Sequence, residues 1–259
     1  MTHEDEYDDN MVTMLELIWG EGYMAPGGPG NVAKMLSGID TTDKHILDIG
    51  CGIGGPAFEM ARKHSANVIG IDLEAPLVAR AMQDAADLGL SDKCTFKTVT
   101  AGALPFDSES FDIVISAGAF TQSEDKAGLL GESLRVLKPG GYLSCYDWLR
   151  SEGEYSEEMR YWFKLEGLTY ELETLPGYRD QFISCGYVDV EAEDATDWYR
   201  DEARREYELI RGDLFPRMVE LLGQHDADHF VENWRALALV IDKGEMRQGY
   251  CRGRRPDET

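Results

Sequence analysis

An apolar run that passes straight into a glycine-rich turn, Ile46-Leu47-Asp48-Ile49-Gly50-Cys51-Gly52-Ile53-Gly54-Gly55, constrains this chain more than any other stretch. Glycines at 50, 52, 54 and 55 let the backbone turn sharply and approach a ligand where a Cβ would intrude. A turn that merely reversed direction would not need so many of them beside an acid. Gly50, Gly52 and Gly55 also satisfy G-x-G-x-x-G, and Asp72 closes the next apolar run, so the segment reads as the first strand-to-helix turn of a nucleotide site.

The rest of the chain supplies the frame for such a turn. Short β-type runs at 46–49, 67–71, 95–99, 111–116 and 142–146 alternate with helical segments near 55–64, 75–89 and 125–137. Strand, helix, strand at this spacing predicts parallel pairing through right-handed crossovers, hence an α/β, Rossmann-like doubly wound sheet. Ahead of it, residues 1–43 hold an N-terminal helix, with Met11, Leu15, Ile18 and Trp19 at helical spacing, and a glycine-rich hinge at 25–30. Residues 44–150 form the core. Residues 151–259 carry amphipathic stretches at 151–183 and 198–238, which would cap the carboxyl ends of the strands, and a final strand near 247–252.

Charge narrows the partners. The chain has 49 Asp and Glu against 25 Lys and Arg, a formal net charge of −24, which opposes binding to nucleic acid or to an anionic membrane. Five cysteines, Cys51, Cys94, Cys145, Cys185 and Cys251, show no C-x-x-C spacing, so no metal site is expected and the thiols read as reduced. The acidic N-terminus is unlike a signal peptide, and no apolar run approaches the roughly 20 residues of a membrane span. The expectation is a cytoplasmic monomer or homodimer acting on a small molecule.

G-x-G-x-x-G alone does not separate a dinucleotide from other nucleosides. Asp48 does: a carboxylate two residues before the first glycine would meet an ammonium but repel a pyrophosphate. Downstream, Leu104-Pro105-Phe106, Ser110-Phe111-Asp112 and Leu137-Lys138-Pro139-Gly140-Gly141 follow in order. Over roughly 30–150 this ordered set resembles the class I S-adenosylmethionine-dependent methyltransferases, a resemblance that implies a seven-stranded, mostly parallel sheet and S-adenosyl-L-methionine as cofactor. Carried over by position, Asp48, Gly50, Gly52 and Gly54 would line the methionine part, Asp72 would bind the ribose, Leu73, Thr100 and Ala101 would flank the adenine, and Ser116 would close the site at the end of the fourth strand.

The flanks resemble one branch of that family. Ile18-Trp19-Gly20-Glu21-Gly22-Tyr23 with Gly27-Gly28, and the order of Asp147, Trp198 and Trp234, are similar to the phosphoethanolamine-type N-methyltransferases and their sarcosine and dimethylglycine relatives. That resemblance implies a lid tyrosine, here Tyr7. It also exposes departures: Gly118 and Gln122 stand where the phosphobase enzymes carry an Asp and a catalytic His, and Glu166 and Leu168 stand where they bind phosphate with Arg and Tyr. A site that exchanges an arginine for a carboxylate is poorly suited to phosphate.

Methyl transfer to an amine needs alignment, exclusion of water and loss of one proton. Tyr7 and Gln122 are the candidates to assist, and Trp19, Tyr23, Trp148, Tyr178 and Trp234 are candidate walls for a cationic product, with Arg179 as a clamp for an anionic end. The expected function is methylation of a betaine-type amino acid or amino alcohol. The rivals are a phosphoethanolamine-type N-methyltransferase, methylation at sulfur or oxygen of a small acid, an NAD-dependent oxidoreductase, and a binding protein that keeps the fold without the chemistry.

Overall fold

A computed structural model describes residues 9–167 and 170–257. Seven strands form a single sheet: β1 (His45–Ile49), β2 (Asn67–Asp72), β3 (Cys94–Thr98), β4 (Phe111–Ala117), β5 (Leu137–Arg150), β6 (Val188–Asp194) and β7 (Met246–Arg254). Their order is β3-β2-β1-β4-β5-β7-β6, with β7 antiparallel to both neighbours and the pairs among β1 to β5 parallel. The expected doubly wound, mostly parallel sheet is present.

Parallel strands covered on both faces read as near-continuous apolar runs, and β1 and β4 do so apart from His45, Asp48, Asp112 and Ser116, because most of their side chains meet a helix layer. Ile46 packs with Val68, Ile113 and Ala57 on one face, while Leu47 packs with Val114, Leu130 and Leu143 on the other. The first layer comprises α2 (Gly28–Met35), α3 (Gly55–His64) and α4 (Ala75–Asp87); the second comprises α5 (Lys126–Val136) and α7 (Leu175–Ser184).

The roof is built by α1 (Asp9–Trp19), α6 (Glu157–Glu166), α8 (Thr196–Arg211), α9 (Phe215–Leu222) and α10 (Gln224–Asp242). Met14, Leu15 and Ile18 of α1 pack against Ile210, Met218, Phe230 and Trp234. At about 1.5–3 kcal/mol for each fully buried side chain, this contact makes the first helix one body with the later ones.

Two expectations are corrected here. The cluster at 25–30 is not wholly a hinge, because Gly28-Pro29-Gly30 opens α2: Gly27 has a left-handed φ of 89°, and proline is at home in a first helical turn, where its missing N–H has no partner to lose. The strand β6 lies in a stretch read as neither helix nor strand. It is a mostly exposed edge strand, and its alternation of Val188, Val190 and Ala192 with Asp189, Glu191 and Glu193 is the period-two signal that marks it.

Candidate active site

The glycine turn leaves β1 beside the end of β2. Gly50, Gly52 and Gly54 have φ of 73°, 51° and 92°. Gly50 has a second reason to lack a side chain, since a Cβ there would lie 2.1 Å from that of Ala119, just past β4. Gly55 has no such φ; its constraint is the segment joining α1 to α2, because its N–H donates to the Gly22 carbonyl at 3.0 Å and a Cβ would sit 2.2 Å from that oxygen. Met24 lies over Gly52 and Ala25 beside Gly118, so residues 20–27 strap the turn.

The amides of this turn are engaged within the protein. The N–H groups of Gly50 and Cys51 donate to the Ile71 carbonyl, at 2.8 and 3.0 Å, and that of Gly54 to Cys51. Gly52 donates to Asp72 Oδ2 at 2.8 Å, while Asp72 Oδ1 accepts from the Glu74 N–H at 3.0 Å. A pyrophosphate site needs amides pointing outward at the anion. Here those named are already used.

Asp48, 1% exposed, has no hydrogen-bond partner on either carboxylate oxygen. Burial, and then the charge of Asp72, push its pKa up to about 7. Asp72 is also raised by burial, against the pull of the Glu74 and Gly52 amides. A buried carboxylate without a donor is costly unless something cationic reaches it. The pair fits an ammonium or sulfonium and rejects a diphosphate.

Beside Asp72, Leu73 is 55% exposed, an apolar side chain left at the surface. Thr100 and Ala101, also exposed, follow β3, whose neighbour Val99 donates to the Asp72 carbonyl at 2.9 Å. Ser116 is buried, and its hydroxyl donates to the Ile49 carbonyl at 2.9 Å. It ties the ends of β4 and β1 together, its proton committed to that bond while the oxygen can still accept.

Past β4, a one-turn 3-10 helix (Phe120–Gln122) leaves Gln122 exposed at the rim. This turn is anchored from below: buried Asp147 accepts from the Thr121 N–H at 3.1 Å and from the Tyr178 hydroxyl at 3.1 Å. Tyr178 therefore packs beneath the sheet with Phe182, on the face opposite Tyr146 and Trp148, and is not a wall of the site. Arg179 is half exposed on α7 and faces Asp180 at 3.7 Å, so it clamps nothing there. Tyr7 and Leu168 lie outside the described residues.

The other aromatic candidates converge. Tyr23 is buried, and burial, then the charge of Glu59 and lastly that of Asp48, raise its phenol well above the usual range. Trp19 and Trp234 both donate indole N–H groups to Glu206, at 2.8 and 3.1 Å, and Tyr199 reaches the same carboxylate at 3.4 Å. Trp148 packs edge-on to Tyr199 and within 6.4 Å of Trp162. Glu206 is fully buried, and burial pushes its pKa up to about 7 despite these donors. It was missed in the sequence, although Tyr199, Ala203, Glu206 and Ile210 repeat at helical spacing: a glutamate inside an apolar stripe is the signal.

The strand order and the carboxylate-flanked glycine turn are those of the class I S-adenosylmethionine-dependent methyltransferase fold. Residues 46–141 match the model of a methyltransferase domain. Beyond that segment the similarity runs to the phosphoethanolamine N-methyltransferases. The phosphoethanolamine N-methyltransferase of Triticum aestivum is 29% identical over 245 residues, 94% of this chain and 48% of that protein, so the chain spans about half the length of such plant relatives. That of Plasmodium falciparum is 28% identical over 210 residues, 80% of this chain and 77% of the relative. A structure of the Haemonchus contortus phosphoethanolamine N-methyltransferase 2, in complex with phosphomonomethylethanolamine and S-adenosylhomocysteine, superposes with a TM-score of 0.90 at 25% identity over 98% of this chain and 59% of that one. Among the described residues no helix is long and apolar enough to cross a membrane, and no group of His, Cys, Asp and Glu is arranged to hold a metal ion.

Proposed function

We propose that the protein transfers a methyl group from S-adenosylmethionine to a small polar amine. Asp48 carries this reading: it is a buried carboxylate with no partner, beside a second carboxylate and a turn whose amides are engaged, so the site asks for a cation. In this reading Asp48 takes the methionyl ammonium and Asp72 the ribose hydroxyls, with the Gly52 and Glu74 amides keeping the Asp72 carboxylate aimed. Leu73, Thr100 and Ala101 flank the adenine. Gly50, Gly52 and Gly54 leave the ligand room.

Bound S-adenosylmethionine supplies an electrophilic methyl carbon on a sulfonium. The chain aligns the acceptor with that carbon, and the strap at 20–27 and the helical roof keep water away. Gln122 at the rim and Tyr7 hydrogen-bond the amine, and solvent at the same rim takes its proton. All five cysteines are free, Cys145 and Cys251 among them although they face one another across β5 and β7; this supports a reducing compartment such as the cytoplasm. The activity printed for the relatives makes phosphoethanolamine the second acceptor to test.

Isothermal titration with S-adenosylmethionine and its demethylated product, with Asp72→Ala as control, tests the reading. Binding that the substitution abolishes supports it. Absence of binding, or binding of NADH in its place, overturns it.

A further inference from the structure

The face of the sheet beneath α6 and α8 holds an unusual set of groups. Tyr146 stands opposite Tyr250, and Trp148 opposite Gln248, across β5 and β7. With Trp162, Tyr199 and Trp198, the rings form a continuous chain: Trp162 to Trp148 at 6.4 Å, Trp148 to Tyr199 at 5.1 Å, Tyr199 to Trp198 at 6.0 Å, Trp198 to Tyr146 at 6.2 Å and Tyr146 to Tyr250 at 5.0 Å. Within this lining, the Tyr146 hydroxyl, both amide atoms of Gln248 and the Trp162 indole N–H are buried and have no hydrogen-bond partner. Buried polar atoms are almost always paired, so four of them on one aromatic-lined face mark a place for a polar ligand.

Carboxylates dominate the charges around them, with the Lys34 ammonium over the Tyr250 ring, 5.8 Å from its centroid, at one end. Glu206 is held by Tyr199, Trp19 and Trp234, and Glu166 accepts from the Tyr170 hydroxyl at 2.8 Å and from Asn233. Burial raises the Tyr199 and Tyr146 phenols well above the usual range, and the Glu206 charge acts on both in the same direction, that of Glu166 on Tyr199. Arg205, a cation acting on Glu206, is more than half exposed and paired with Glu202 on its own helix. No hydrogen bond or ion pair brings a lysine or arginine to Tyr146, Gln248, Trp162 or Tyr199 among the described residues.

Resting on the methyltransferase reading, we infer that this aromatic-lined face is the acceptor site and that it takes a small amino alcohol, an amine with no phosphate or carboxylate. Rings and carboxylates attract the ammonium form and the methylated product. Gln248 and Tyr146 offer the donor and acceptor that a neutral hydroxyl end requires. A phosphate there would meet neutral donors and two carboxylates, with Lys34 at the far, Tyr250 end and paired to Glu193 as the cation nearest the lining.

The test uses the full chain with S-adenosylmethionine and measures kcat/KM for ethanolamine and its N-methyl and N,N-dimethyl forms, for their phosphorylated counterparts, and for glycine and sarcosine. The inference requires the amino alcohols to exceed both other series by at least about tenfold, the effect of one well-placed charge contact. It also requires Gln248→Lys to move the ratio of phosphorylated to free amine upward by about the same factor, while Trp162→Phe raises KM for the amino alcohol. Preference for phosphobases or amino acids overturns it, as does a Gln248→Lys variant that folds, binds S-adenosylmethionine and leaves the ratio unmoved. Donor binding measured by titration keeps the two readings apart: its loss in the wild-type chain sinks the methyltransferase reading itself, whereas donor binding with the wrong acceptor series sinks only this inference.

Discussion

Trp19 on the first helix and Trp234 on the last lie 6.1 Å apart, ring to ring, and donate their indole N–H groups to the two oxygens of one carboxylate, Glu206. The N-terminal helix is therefore latched to the roof by a buried polar contact as well as by apolar packing. Glu206→Leu leaves two buried indole donors and the Tyr199 hydroxyl without their acceptor, and unsatisfied groups of this kind cost about 1–3 kcal/mol each. A loss of that order in urea-denaturation stability is expected, larger than for Trp19→Phe, which removes a single donor.

The pH dependence of stability has a defined sign. Asp48 and Asp147 are raised from 3.8 to about 7, and Glu206 from 4.5 to about 7, in each case chiefly by burial. An acid whose pKa rises on folding binds its proton more tightly in the native state, so its contribution is full below the unfolded value and is lost as pH climbs through the folded one. Stability of the ligand-free protein should fall between about pH 4 and pH 7, by up to about 1.4 kcal/mol per pH unit per group. A thermal-melt series across that window, flat or rising with pH, would contradict it.

Donor binding should run the other way. A cation seated on Asp48 favours the ionised carboxylate, so binding S-adenosylmethionine near pH 6 releases a proton and the affinity rises toward pH 8. Titration calorimetry in two buffers of different ionisation enthalpy reads this release directly.

Asp48→Asn separates stability from function at one residue. Removing a buried, partnerless charge beside Asp72 should raise the melting temperature of the ligand-free protein at pH 8 while weakening S-adenosylmethionine by about tenfold or more. A variant with lower melting temperature and unchanged affinity would show that Asp48 is only part of the core.

Tyr178→Phe tests the placement of that phenol below the sheet. Losing its hydrogen bond to Asp147 should cost about 1–3 kcal/mol of stability and leave KM for the amine unchanged. A selective rise in KM would return Tyr178 to the acceptor wall.

The donor side was legible in the sequence because it is local: β1, the turn and the end of β2 occupy residues 45–72, and their residue types are dictated by backbone geometry and one charge. What escaped depends on packing between distant segments. Ser116 gives no sign that its proton closes on Ile49, and Gly55 looks like part of a dinucleotide motif until Gly22 is found against it. Tyr178 and Arg179 are adjacent in sequence to nothing that reveals which side of the sheet α7 covers. Glu206 did leave a trace, as the one acid in an apolar helical stripe, whereas Trp162 and Gln248 were silent, since a residue with a polar atom in an amphipathic helix or an inner strand looks the same buried or exposed until its neighbours are known.

The two halves of the site are drawn from the chain very differently. The glycines and carboxylates of the donor half come from one continuous stretch, whereas the proposed acceptor face is assembled from segments as far apart as Tyr146 and Tyr250. Drift in the helical segments can therefore change what is recognised beneath α6 and α8 while the glycine turn stays untouched. On this architecture the identity of the acceptor is inherited loosely and that of the donor strictly, so the helices and the last strand are where descendants of a common ancestor would come to differ in diet.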